Sequence, residues 1–72
     1  MKTMETKEVL TLIFLGTDGW DRPVYIDSDG TLWKNVMLQE KQIKGLCSVT
    51  NNDFDGEPLE PIQTEKKIVF AD

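Results

Sequence analysis

Short apolar runs, separated by clusters of Gly, Pro, Asp and Asn, characterise this chain. Runs of this length and composition predict β-strands. Both faces of the first run are apolar, which predicts a central strand, although a buried helical segment fits the same seven residues. The predicted strands cover residues 9–15, 23–27, 31–38, 46–50 and 68–70.

The segment from Asp27 to Gly30 predicts a β-hairpin between the second and third strands. Asp at the first position and Gly at the last are typical of a type I turn. With Gly30 in the left-handed conformation, the loop has three residues and Tyr25 lies opposite Trp33. A two-residue Asp-Gly loop is the alternative, and it would place Ile26 opposite Trp33.

Two segments lack a strand pattern. The polar residues 39–44 predict a loop or one short helical turn, and residues 51–63 predict an irregular segment because Pro58 and Pro61 lack a backbone donor. The fold class is therefore mainly β. We expect a small antiparallel sheet or partly open barrel of four to five strands, built on a meander, with at most one short helical turn.

Length and charge limit the possible functions. With 72 residues, the chain forms a single small β-rich domain over residues 1–72, with little room for a deep catalytic cleft. A content of 39% hydrophobic and 29% charged residues predicts a folded domain. The net charge of −5 opposes binding to nucleic acid, which requires clustered Lys and Arg.

The numbers of cysteine and histidine residues limit the kinds of covalent, metal and catalytic site that the chain can form. Cys47 is the only cysteine, so no intramolecular disulfide forms and a reducing, cytoplasmic location is expected, with the thiol packed in the core. The apolar run at 9–15 is too short to span a membrane. Because the chain has no His, triads and zinc sites are excluded, and no cofactor is expected.

Residues 51–56 match the first half of a calcium-binding loop. Asn51, Asp53 and Asp55 supply oxygen side chains at the first, third and fifth positions, and Gly56 follows at the sixth. The twelfth position, which should hold a bidentate Glu, is Ile62. A solvated acidic loop is therefore favoured over a metal site.

Trp20 and Arg22 lie in a turn-rich loop and are candidate contacts for a protein partner, together with Phe54 in the later loop. Trp and Arg are enriched among residues that dominate binding energy. In the alternative, which a small core favours, Trp20 folds back over the core and Arg22 pairs with Asp18 or Asp21.

The stretch from Phe14 to Tyr25, followed by residues 29–30 and 33–36, resembles small uncharacterised bacterial proteins and domains associated with mobile elements. These carry the pattern Phe-x-Gly-x-Asp-x-Trp-x-Arg-Pro-Val-Tyr before an acidic-Gly hairpin. Residues 52–58 are also similar, so the resemblance covers about half of the chain. It implies a bacterial, mobile-element origin and no established activity.

Together these features predict a cytoplasmic protein-interaction or accessory module without catalytic activity. One alternative is a calcium-responsive domain. Another is a small hydrolytic enzyme in which Asp18, Asp21 or Asp27 forms a carboxylate pair. The expected binding partner is a protein, and binding to nucleic acid or to a membrane is not expected. The expected oligomeric state is a monomer or a weak homodimer formed through an open sheet edge.

Overall fold

A computed structural model describes residues 9–38 and 41–71 and contains one six-stranded sheet. Its strands run in the order β5-β4-β3-β2-β1-β6. β6 is parallel to β1, and the other neighbours are antiparallel. The strands are β1 Val9–Thr17, β2 Pro23–Ile26, β3 Leu32–Asn35, β4 Leu46–Val49, β5 Pro58–Pro61 and β6 Lys67–Ala71.

The mainly β class is confirmed, but the sheet has six strands instead of the predicted four to five, and one of its five strand pairs is parallel instead of antiparallel. The sixth strand is β5, which lies within the segment predicted to be irregular. Pro58 and Pro61 are tolerated there because β5 is an edge strand that pairs only with β4. The mixed character comes from β6, which returns beside β1 in parallel.

Helical structure in the described ranges is limited to one 3₁₀ turn at Thr50–Asn52, which agrees with the expected maximum of one short helical turn but lies outside residues 39–44, where that turn was predicted. Asn51 and Asn52 have φ values of 57° and 52°. The same ranges contain no helix that is long and apolar enough to cross a membrane.

The predicted register of the β2–β3 hairpin is confirmed. Tyr25 pairs with Trp33, and Gly30 has a φ of 84°. The Gly30 N–H donates to the Asp27 carbonyl at 3.0 Å, and the Asp27 N–H donates to the Thr31 carbonyl at 3.0 Å, which closes the three-residue loop. The competing two-residue loop is therefore wrong.

β1 is a central strand, as predicted, because it lies between β2 and β6. Its register with β6 runs from Val9 opposite Lys67 to Ile13 opposite Ala71. Toward β2, the pairing passes from Phe14–Tyr25 to Gly16–Val24, so one extra residue forms a β-bulge.

The two faces of the sheet differ in burial. The core face is centred on Tyr25, which contacts Phe14 and Phe70 edge to face, with ring centroids 5.7 and 5.3 Å apart. These contacts join β1, β2 and β6 through one aromatic side chain. The core cluster comprises Leu10, Leu12, Tyr25 and Leu46, with Trp33, Ile62, Ile68 and Phe70 packed against it.

The opposite face is buried only at one end. Val24 pairs with Lys34, and both side chains on this face are fully buried. At the other end, Val9, Ile13 and Val69 are 46%, 49% and 37% exposed. The turns after β1 and β4 therefore cover half of this face and leave the β1–β6 half open.

Candidate functional site

The turn that carries Trp20 is organised by the carboxylate of Asp18. Its Oδ1 accepts the backbone N–H groups of Trp20 at 2.8 Å and of Arg22 at 3.0 Å. The Asp18 N–H donates to the Arg22 carbonyl, and the Asp21 N–H donates to the Asp18 carbonyl. Asp21 has a φ of 64°, a left-handed conformation that Asp tolerates better than most residues. These bonds fix the turn backbone from residue 18 to residue 22.

The other carboxylate oxygen of Asp18 binds two cations. Oδ2 accepts the Arg22 Nε–H at 2.8 Å and the Lys34 ammonium at 2.7 Å. The side chains of Asp18 and Lys34 are 2% and 0% exposed. Burial strengthens the attraction between Asp18 and Lys34 because little water competes for either charge. Arg22 supplies a second cation, and its Nη1 also lies 4.0 Å from the Glu57 carboxylate, so the four charges balance.

Lys34 connects the Trp20 turn to the segment after β4. Its ammonium also donates to the carbonyl oxygens of Phe54 at 3.0 Å and Gly56 at 2.6 Å, so all three of its N–H donors are used. Hydrogen bonding of each donor offsets the cost of burying the charge. The two loops that were predicted separately are thus brought together through β3.

The pKa values of two carboxyls reflect these contacts. Burial on its own raises the pKa of Asp18, but hydrogen bonds from Lys34, Arg22 and Trp20 outweigh it and hold the pKa well below its usual range. Burial likewise opposes the hydrogen bonds from Trp33, Thr31 and Asp29 that lower the pKa of Asp27. Both groups stay ionised near neutral pH, so neither has the raised pKa of a general acid.

The structure gives different roles to the three residues predicted to contact a partner. Trp20 is 72% exposed, so the alternative in which it covers the core is wrong. Arg22 pairs with Asp18, as that alternative predicted, and its side chain is only 13% exposed. Phe54 is half-buried, with its ring 3.7 Å from where a Cβ would lie on Gly16. Arg22 and Phe54 therefore support the loops, while Trp20 projects from them.

The segment proposed for calcium is held by internal hydrogen bonds. The Asp53 N–H donates to the Thr50 carbonyl, and the Gly56 N–H donates to the Asp53 carbonyl. In residues 9–38 and 41–71, no group of three or more His, Cys, Asp or Glu converges on a metal position. Calcium binding by Asn51, Asp53 and Asp55 remains a prediction without further support.

Asn52, which sequence reasoning did not single out, joins this segment to the β2–β3 hairpin. Its side-chain oxygen accepts the Leu32 N–H at 2.6 Å, and its amide nitrogen donates to the Gly30 carbonyl at 2.8 Å. The segment from residue 50 to residue 57 is therefore attached at both ends of β3, through Asn52 and through Lys34.

Three other features contain groups that could form a site. Cys47 is buried, as predicted, and burial raises the pKa of its thiol, which opposes nucleophilic reactivity. The carboxylate of Asp27 accepts two backbone N–H groups and the Trp33 indole N–H at 2.9 Å. An open groove of about 240 Å³ is lined by Trp33, Ser48, Glu60, Pro61 and Gln63.

The fully satisfied Asp27 carboxylate and the Asp18 cluster both have structural explanations in the turns they close. Trp20 has none, because its side chain is 72% exposed and the hydrogen bonds that hold its turn involve its backbone N–H. Comparisons with models of protein families, with curated proteins and with solved structures find no match for this chain.

Proposed function

We propose that this protein is a small non-catalytic interaction module that binds a protein partner through Trp20. The observation that carries the proposal is the 72% exposure of Trp20 on a turn whose backbone is fixed by Asp18. Tryptophan side chains dominate binding energy when they insert into a partner's pocket. Two further expectations belong to the same proposal: a bacterial role associated with mobile elements, which the sequence resemblance implies, and a cytoplasmic location, which the single cysteine favours.

Rigidity of the turn favours binding. Ordering a flexible loop on association costs free energy that reduces affinity. Here the N–H groups of Trp20 and Arg22 are already bonded to Asp18, and Lys34 ties the turn to residues 54 and 56. Association therefore needs to order little more than the Trp20 side chain.

The charge around Trp20 indicates the chemistry of the partner. The cations of this region, Lys34 and Arg22, are buried or nearly buried in pairs with Asp18. The charged residues exposed on the two turns are acidic: Asp21, Asp53, Asp55 and Glu57, of which Glu57 lies 4.0 Å from the Arg22 guanidinium. Complementarity then requires an apolar pocket for the indole, flanked by Lys or Arg on the partner.

A comparison of three immobilised proteins tests the proposal: wild type, Trp20→Ala and Leu59→Ala. Leu59 is 60% exposed on β5, so it controls for the loss of an exposed apolar side chain elsewhere. Proteins retained from an extract of the source cells are quantified by mass spectrometry, and candidates are retested with purified protein.

We expect at least one protein that binds wild type and Leu59→Ala directly but is lost with Trp20→Ala, and its affinity should fall as salt rises. Circular dichroism must show that all three proteins are folded. If every retained protein binds Trp20→Ala as well as it binds wild type, Trp20 is not the contact residue.

A further inference from the structure

The two edges of the sheet are protected differently. At one edge, β5 begins and ends with proline, so two of its four residues cannot donate to an added strand. At the other edge, β6 has five residues and no proline. In the ranges 9–38 and 41–71, no strand pairs with the outer side of β6. An edge strand with free backbone donors and acceptors can accept a further strand.

We propose that the outer edge of β6 pairs with β6 of a second copy of this chain, in antiparallel orientation about a twofold axis. Full overlap of the two five-residue strands places Val69 opposite Val69 of the second copy. Ile68 then lies opposite Phe70, and Lys67 lies opposite Ala71. A twofold arrangement uses the same edge on both copies and leaves no free β6 edge for further growth.

Side-chain chemistry supports a second copy as the occupant. Residues directly opposite in an antiparallel pair share a face of the sheet. Ile68 and Phe70 both pack on the core face, so each β-branched side chain meets an aromatic one from the other copy. No like charges face each other in this register, since the Lys67 side chain lies opposite the methyl group of Ala71.

The neighbouring register is less favourable. A shift of two residues preserves the faces but shortens the overlap, and it places either Lys67 or Ala71 opposite Val69, depending on its direction. Val69 is 37% exposed and sits beside the open half of the second face, where Val9 and Ile13 are also exposed. In the full-overlap register, this apolar surface continues from one copy to the next across the Val69 pair.

The expected dimer is weak. A five-residue strand pair is small beside the roughly 1,200–2,000 Å² that stable interfaces bury. Each copy also carries a net charge of −5, so long-range repulsion opposes association at low salt. The dimer should therefore form reversibly at high protein concentration and become stronger as salt rises.

A charge-swap experiment at residue 69 tests the proposal, because the twofold axis makes Val69 its own partner. Sedimentation equilibrium of the full chain is measured up to about 1 mM protein for wild type, Val69→Lys and Val69→Glu, and for an equal mixture of the two variants. Leu59→Lys places the same charge on the proline-protected edge and is the matched control. Circular dichroism confirms folding of each protein.

We expect wild type and Leu59→Lys to dimerise. Val69→Lys alone and Val69→Glu alone should each self-associate about tenfold more weakly than wild type, whereas their equal mixture should associate more strongly than either variant alone. The proposal is overturned if wild type stays monomeric, or if the mixture associates no better than the single variants. Association that Leu59→Lys abolishes would place the interface elsewhere. Trp20→Ala should dimerise like wild type, so this result is separable from the proposed function.

Discussion

Replacement of Lys34 by Met is the perturbation that most directly probes how the two loops are held together. Met has a similar length but no charge and no donor. The substitution removes the bond to Asp18 and leaves the carbonyl oxygens of Phe54 and Gly56 without their donor. Asp18 keeps Arg22, so its carboxylate remains paired.

The size of the stability loss on Lys34→Met follows from the burial of the Lys34 ammonium and its partners. Loss of one member of a buried ion pair costs about 3–5 kcal/mol, and a buried acceptor left unsatisfied costs about 1–3 kcal/mol. These costs overlap, and the remaining Arg22 contact reduces the first of them. We therefore expect Lys34→Met to lower the free energy of unfolding by about 3–5 kcal/mol. The free energy of unfolding expected for a chain of 72 residues is roughly 4–11 kcal/mol, so this loss is a large fraction of it.

Urea denaturation followed by far-UV circular dichroism measures this loss. Lys44→Met is the control, because Lys44 is exposed and its side chain lies outside this network; its effect should stay within about 0.5 kcal/mol. In a double-mutant cycle with Asp18→Asn, the double variant should lose less stability than the sum of the single variants. A loss below about 1 kcal/mol for Lys34→Met would refute the structural role of its ammonium.

Two further results are expected. The pKa values of Asp18 and Asp27 in the folded protein lie below their ordinary value of 3.8. Their contribution to stability is therefore complete above about pH 5 and is lost as pH falls below 4. The midpoint of urea denaturation should decline between pH 6 and pH 2, and it should decline less in Asp27→Asn. Titration with millimolar calcium should leave the amide NMR signals of Asp53 and Asp55 in place, and saturable movement of both would instead support a calcium site.

Local chemistry made the hairpin predictable from sequence. An Asp and a Gly three positions apart determine the turn, and the turn determines which residues of β2 and β3 face each other. The carboxylate of Asp27 adds two bonds to backbone N–H groups within the same loop. No distant part of the chain is required for this register.

Nonlocal pairing explains the errors in the fold. β6 pairs with β1 across more than fifty positions, and nothing in either strand alone specifies a parallel neighbour. Pro58 and Pro61 exclude a central strand but not an edge strand, and the edge position of β5 follows only from the complete strand order.

The central residue of the site, Lys34, is recognisable from the sequence once the hairpin register is known. The hairpin register places Lys34 opposite Val24, on the same face as Leu32. A lysine between inward-facing apolar residues must find internal partners, and the preceding turn offers the carboxylates of Asp18 and Asp21. The exposure of Trp20 could not be read in the same way, because core burial and surface display both suit a tryptophan beside glycine.

Hydrogen exchange measured by NMR tests the central claim most directly, that Trp20 is an exposed side chain on a rigid turn. We expect the backbone amides of Trp20 and Arg22, which donate to Asp18, to exchange slowly. The Trp20 indole N–H should exchange rapidly, whereas the Trp33 indole N–H, bonded to Asp27, should be protected. A protected Trp20 indole, or rapidly exchanging amides at Trp20 and Arg22, would contradict the account.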